Sequence, residues 1–124
     1  MEKKNYKVKK IPIIKNLKGN LFKIISKDHV FYNKFGEIYL SEVRPGKFKG
    51  WKYHEKRTQI ITVIAGKVRF FFKKKIMDKK ATFVDIGYPN NFNLLKIEKK
   101  TYYSFKCISK TRSLIINLID EIVK

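Results

Sequence analysis

Gly46-Lys47-Phe48-Lys49-Gly50-Trp51-Lys52-Tyr53-His54, with Gln59-Ile60-Ile61-Thr62-Val63-Ile64-Ala65-Gly66 after it, is the stretch on which the reading of this chain turns. It holds one of the two histidines and the sole tryptophan. In an extended strand, side chains two residues apart share a face. Lys52 and His54 therefore point one way, and Trp51 and Tyr53 the other. Gln59 to Ala65 reads as an apolar strand, and Ala65-Gly66-Lys67 as a tight hairpin turn into Val68-Arg69-Phe70-Phe71-Phe72-Lys73. A polar pair beside a long apolar strand predicts a site inside a β-structure.

Outward from this stretch the same pattern repeats. Gly36 to Val43 alternates as a strand and ends in the turn Arg44-Pro45-Gly46. Ala81 to Ile86, Phe92 to Ile97, Tyr102 to Ile108 and Ser113 to Ile119 read as further strands, and Leu118 to Lys124 as a short helical tail. Toward the N-terminus, residues 1 to 10 are a lysine-rich lead-in or edge strand. Ile11 to Ile14 is an apolar run kept at an edge by Pro12. A turn at Gly19-Asn20 leads to a strand at Leu21 to Ile25. Residues 26 to 35 read as a loop or a single helical turn, with His29 a solvated loop histidine. About nine or ten short strands at this spacing, without a long amphipathic helix, place the chain in the all-β class, as a sandwich or barrel.

With 124 residues the chain is expected to fold as one domain. Its 44% apolar content is that of a globular protein. No apolar run reaches the roughly 20 residues of a membrane helix, and no signal peptide is read at the N-terminus. The lone Cys107 reads as a packed strand residue and suits a reducing, cytoplasmic compartment. The formal net charge of +20 raises the possibility of a nucleic-acid partner. Of the 30 basic residues, however, only Arg44, Arg57, Arg69 and Arg112 are arginine. Arginine is the residue that grips phosphates and base edges bidentately. The lysines are also spread along the whole chain, so nucleic acid is not expected as the partner. A small anionic ligand would still benefit from the field.

Phosphate-loop, Cys-Cys metal and Ser-His-Asp signatures are absent from the sequence. The groups that remain are Lys52, His54, Gln59, Tyr39 and Tyr103. Imidazole exchanges protons near neutral pH, Tyr can donate to a developing enolate, and Lys can stabilise that oxygen or hold an anion. Together they suit proton abstraction beside a ketone. From periodicity alone the plainer reading is favoured, in which His54 is a satisfied strand histidine and Lys52 an outward lysine.

The spacing of Gly46, Lys52, His54, Gln59 and Gly66 resembles the first motif of the cupin superfamily, with Lys52 and Gln59 standing at two of its three metal-ligand positions. Lys is normally charged and Gln ligates poorly, so no metal and no other cofactor is expected. The second cupin motif persists in outline from Glu98 to Cys107, with Tyr103 at its histidine position. Gly50 to His54 and Gln59 to Val68 are similar to the dTDP-sugar 3,4-ketoisomerases and to the dTDP-4-dehydrorhamnose 3,5-epimerases. The resemblance covers roughly residues 8 to 120.

What the resemblance implies is a single-domain cupin-type β-barrel, or jelly roll, that pairs as a homodimer through edge strands and the N-terminal segment. It implies a metal-independent isomerase that binds a nucleotide-linked 4-keto-6-deoxy sugar and moves a proton next to its ketone. His54 matches the second active-site histidine of the ketoisomerases, and Tyr39 a strand tyrosine ahead of the motif. Lys49 falls where the epimerases have an arginine near the phosphates. Lys52 replaces the first histidine, the epimerase tyrosine falls near Ile116, and the epimerase lysine falls near Gln59. The expected catalytic set is therefore His54, Lys52, Tyr39 and Tyr103. The expected substrate-binding set is Lys49, Gln59, Trp51 and Arg44. A non-catalytic cupin that holds a carbohydrate or polyanion, and a paralogue that has lost catalysis, stay open as alternatives.

Overall fold

The structure is a computed structural model and describes residues 4–122. The strands are β1 (Tyr6–Lys10), β2 (Ile13–Ile14), β3 (Leu21–Phe22), β4 (Glu37–Val43), β5 (Phe48–Tyr53), β6 (Gln59–Ala65), β7 (Lys67–Lys73), β8 (Thr82–Gly87), β9 (Asn93–Ile97), β10 (Tyr102–Cys107) and β11 (Ser113–Ile119). They form an antiparallel five-stranded sheet, β1-β9-β6-β11-β4, a four-stranded sheet, β5-β10-β7-β8, and the small β2–β3 pair. The all-β reading holds. The closed barrel does not: the sheets stay open, with the edges of β1 and β8 flanking a cavity of about 710 Å³ lined by Tyr6, Val8, Val84 and Asp85 among others. The predicted helical tail is corrected as well. Through Ile119 the chain is still in β11, bends follow it, and residues 123 and 124 lie outside the described residues.

The strand β7 shows why these residues fold this way. Its sequence alternates, so Val68, Phe70 and Phe72 are buried between the sheets while Arg69, Phe71 and Lys73 face outward. The inner core gathers Val43, Ile61, Val63, Leu95, Ile97, Phe105 and Ile115 with them. Strand β6 does not alternate: Gln59 to Val63 are all buried. Its outer face is covered too, because Ile11 and Phe31 pack with Ile60, Phe92, Leu94 and Leu118 in a second apolar cluster. A strand buried on both faces reads as a continuous apolar run. The segment at 11 to 35 thus acts as a lid on the five-stranded sheet.

The chain crosses from one sheet to the other at residues 44 to 47, between edge strands β4 and β5. Near the turn this crossing is tied to the core by Gly46 N–H donating to Cys107 O and by Cys107 N–H donating to Lys47 O, both at 3.1 Å. Opposite β10 the register of β5 shifts between Tyr103 and Phe105. Gly50 sits at the shift with φ 127°, against Ser104, where a side chain would strike the Ser104 Cβ at 2.6 Å. The shift pairs both Lys49 and Lys52 with inward residues, Phe105 and Tyr103.

Candidate active site

The interior end near His54 carries a connected set of polar side chains. His54 Nε2 lies 3.1 Å from the Tyr103 hydroxyl. Tyr103 donates to Gln59 Oε1 at 3.2 Å, and Asn117 Nδ2 donates to the same oxygen at 2.7 Å. Asn117 Nδ2 also donates to the Tyr39 hydroxyl at 3.1 Å. Gln59 is 1% exposed, Tyr103 3% and Asn117 6%. The contributions come from β4, the residue after β5, β6, β10 and β11, so the fold alone brings them together. Asn117 stands directly opposite Tyr39 in the ladder, which is how two strands place both on the inner face.

Lys52 joins this set from β5. Its ammonium lies 5.3 Å from the centre of the Phe105 ring, on the same face as Tyr103. Burial holds the Lys52 pKa below its usual range, and the neighbouring Lys49 charge adds to that. Burial likewise lowers the pKa of His54, helped by the positive charges of Arg57 and then Lys52. His54 is therefore a neutral imidazole near pH 7, competent to accept a proton. Tyr103 is pushed up to about 12, chiefly by burial, and stays a neutral phenol. Tyr39 is raised by burial, opposed by Arg57 and reinforced by Glu37. Arg57 lines a cavity of about 250 Å³ with His54, Tyr53, Glu55, Lys56, Glu121 and Ile122. One imidazole, one ammonium, two amides and two phenols form a poor donor set for a metal ion.

The residues expected from sequence fall into two groups. His54, Tyr103, Gln59 and Tyr39 share one hydrogen-bonded network, with Lys52 beside them. Lys49 lies farther along β5, its Nζ donating to Glu42 O at 2.8 Å. Arg44 is exposed and reaches Glu42 at 4.0 Å, and Arg112 pairs with the same carboxylate. Trp51 is on the outer face of the four-stranded sheet, with the Lys73 ammonium 4.7 Å from its ring centre. Asn117 and Arg57 are in the site although the sequence reading passed over them. Asn117 carried a signal: it is the polar member of the buried series Ile115, Asn117, Ile119. Ile116, by contrast, pairs with the exposed Leu40 and faces outward.

No protein-family model matches the chain, and no curated protein matches it in sequence. Solved structures do match. A dTDP-sugar isomerase from Desulfovibrio desulfuricans is 27% identical, with a TM-score of 0.87 over 96% of this chain and 78% of that one. A sugar 3,4-ketoisomerase from Thermoanaerobacterium thermosaccharolyticum, solved with TDP, is 16% identical, with a TM-score of 0.79 over 97% of this chain and 83% of its own. A dTDP-4-dehydrorhamnose 3,5-epimerase from Bacillus anthracis, solved with TDP and pyrophosphate, is 14% identical, with a TM-score of 0.82 over 97% of this chain and 74% of its own. In fold, the chain is similar to these dTDP-sugar isomerases, ketoisomerases and epimerases.

Proposed function

We propose that the protein binds a nucleotide-linked 4-keto-6-deoxyhexose and transfers a proton at the carbon beside its ketone. The carrying observation is the network His54–Tyr103–Gln59–Asn117–Tyr39 with Lys52 next to it, at the inner end of a fold shared with dTDP-sugar isomerases. The neutral His54 imidazole removes the proton. The ketone oxygen becomes an enolate oxygen, which the Lys52 ammonium meets. Tyr39 supplies a proton on return, and Tyr103 forms the wall behind His54. Return to the opposite face of the same carbon gives epimerisation, and return to the former ketone carbon, with the proton of the adjacent hydroxyl passing to the old ketone oxygen, gives a keto shift. Lys49, with Arg44 near it, receives the diphosphate. A solved ketoisomerase neighbour holding TDP-4-keto-6-deoxyglucose supports this substrate class.

Two further expectations belong to this reading. Ile38 and Leu40 on the outer face of edge strand β4 stay 52% and 58% exposed, which supports pairing of two copies there. Among the described residues no helix is long and apolar enough to cross a membrane, and the proposed nucleotide-sugar substrate supports a cytoplasmic setting. Calorimetric titration tests the binding claim. Saturable binding of both dTDP and a dTDP-4-keto-6-deoxyhexose, at competing sites, is expected. Absence of binding by either overturns the reading. Steeply salt-dependent binding of a polyanion, with none of dTDP, favours the non-catalytic alternative instead.

A further inference from the structure

The hydrogen bonds of the inner network have a direction. Asn117 uses both amide protons, one on the Tyr39 oxygen and one on Gln59 Oε1. Gln59 Oε1 has two lone pairs, and the second accepts the only proton of Tyr103. The Tyr103 oxygen therefore faces His54 as an acceptor, and the bond at 3.1 Å needs a proton on His54 Nε2. Reversing the Asn117 amide would turn its two protons toward the place where Asn117 Oδ1 now lies buried without a partner. Two unsatisfied donors would replace one unsatisfied acceptor, so the direction is set by the cheaper arrangement.

We infer that Gln59 and Asn117 are positioning residues, which polarise the network so that His54 keeps its proton on Nε2 and presents Nδ1 as the base, while Tyr39 keeps its own O–H free as the acid. This rests on the proposed proton-transfer role of His54 and says which of its atoms does the work. Gln59 matters as an acceptor of two protons. Asn117 matters as the donor that occupies the Tyr39 lone pair and leaves the Tyr39 proton unclaimed. The two ends of the network then differ in sense: a bare nitrogen at one, a hydroxyl proton at the other. A hydrophobic residue at position 59 would release the Tyr103 proton to His54 Nε2 and move the imidazole proton to Nδ1.

The tautomer of His54 can be read without any substrate, so its failure is distinct from failure of the proposed reaction. The experiment is an imidazole nitrogen–proton correlation spectrum of the full chain at a pH where His54 is neutral. Only two histidines are present, and His29→Asn removes the signals of the other. The expected wild-type pattern is protonation at Nε2. Gln59→Leu is expected to convert it to the Nδ1-protonated form, and Tyr103→Phe to an average of the two. A wild-type Nδ1-protonated imidazole overturns the inference, as does a Gln59→Leu protein that folds and keeps the wild-type pattern. The wild-type spectrum decides alone if Gln59→Leu does not fold.

Discussion

The two ends of the inner core are both polar, and they are built in opposite ways. At the Cys107 end the thiol lies 3.1 Å from Ser113 Oγ, 3.4 Å from Ser109 Oγ and 3.3 Å from Thr111 O. These three partners are within six residues of the cysteine, and the serines tie the cluster to Lys67 of β7, Ser109 Oγ accepting from its N–H at 3.0 Å and Ser113 Oγ donating to its carbonyl at 3.1 Å. At the His54 end the linked pairs are 44 to 78 residues apart in sequence. The first cluster closes a turn and seals the core. The second exists only once both sheets have assembled, and it contains the groups that exchange protons. One polar cluster satisfies backbone and thiol groups, whereas the other joins unlike proton-exchanging groups at a place the fold selects.

The sharpest way to break this contrast is at Gly66, beside the Cys107 end. It has φ 74°, and an added Cβ would lie 2.8 Å from both Arg112 O and Ser109 Oγ. Gly66→Val is expected to lower the unfolding free energy by about 3 kcal/mol in urea, while the folded fraction binds nucleotide as before. At the other end the outcome should invert. His54→Ala is expected to change stability by less than about 1 kcal/mol in the same urea titration, because the side chain is only half-buried at the rim.

Acidification should separate the ends further. His54 is held below 6.5 in the folded chain and returns to that value on unfolding. The unfolded chain therefore binds more protons between the two values, so the contribution is complete above pH 6.5 and is lost as pH falls through the folded value. His29 is shifted in the same direction by its own burial and by Lys9. The part due to His54 is the slope that disappears in His54→Ala. The smallest effect concerns the charges around it. Arg57→Met and Lys52→Met should each raise the His54 midpoint in an NMR titration, Arg57 by more, since its charge bears more strongly on the imidazole. An unchanged midpoint in both would detach Arg57 and Lys52 from the site.

Much of this was legible in the chain. Alternation in Val68 to Phe72 and the spacing from Gly46 to Gly66 were enough for the strands, the sheet class and the places of Lys52 and His54. The register shift at Gly50 was not legible, since a bulge depends on the partner strand, and it sets Lys49 and Lys52, three residues apart, both opposite inward residues of β10. Openness of the sheets was also hidden, because the turn signals of a barrel and of a sandwich are the same. Trp51 looks like a site residue in sequence because it lies inside the motif, yet it stands on the outer sheet face against Lys73. Asn117 was hidden because the resemblance sets the epimerase tyrosine near Ile116, one residue away and therefore on the opposite face.

The central claim is proton transfer by His54, and isotope wash-in measures it directly. In D2O with a dTDP-4-keto-6-deoxyhexose, the protein is expected to place deuterium on the carbon beside the ketone, and His54→Ala to do so about a hundredfold more slowly. Incorporation no faster than without protein, or equally fast with His54→Ala, would contradict it.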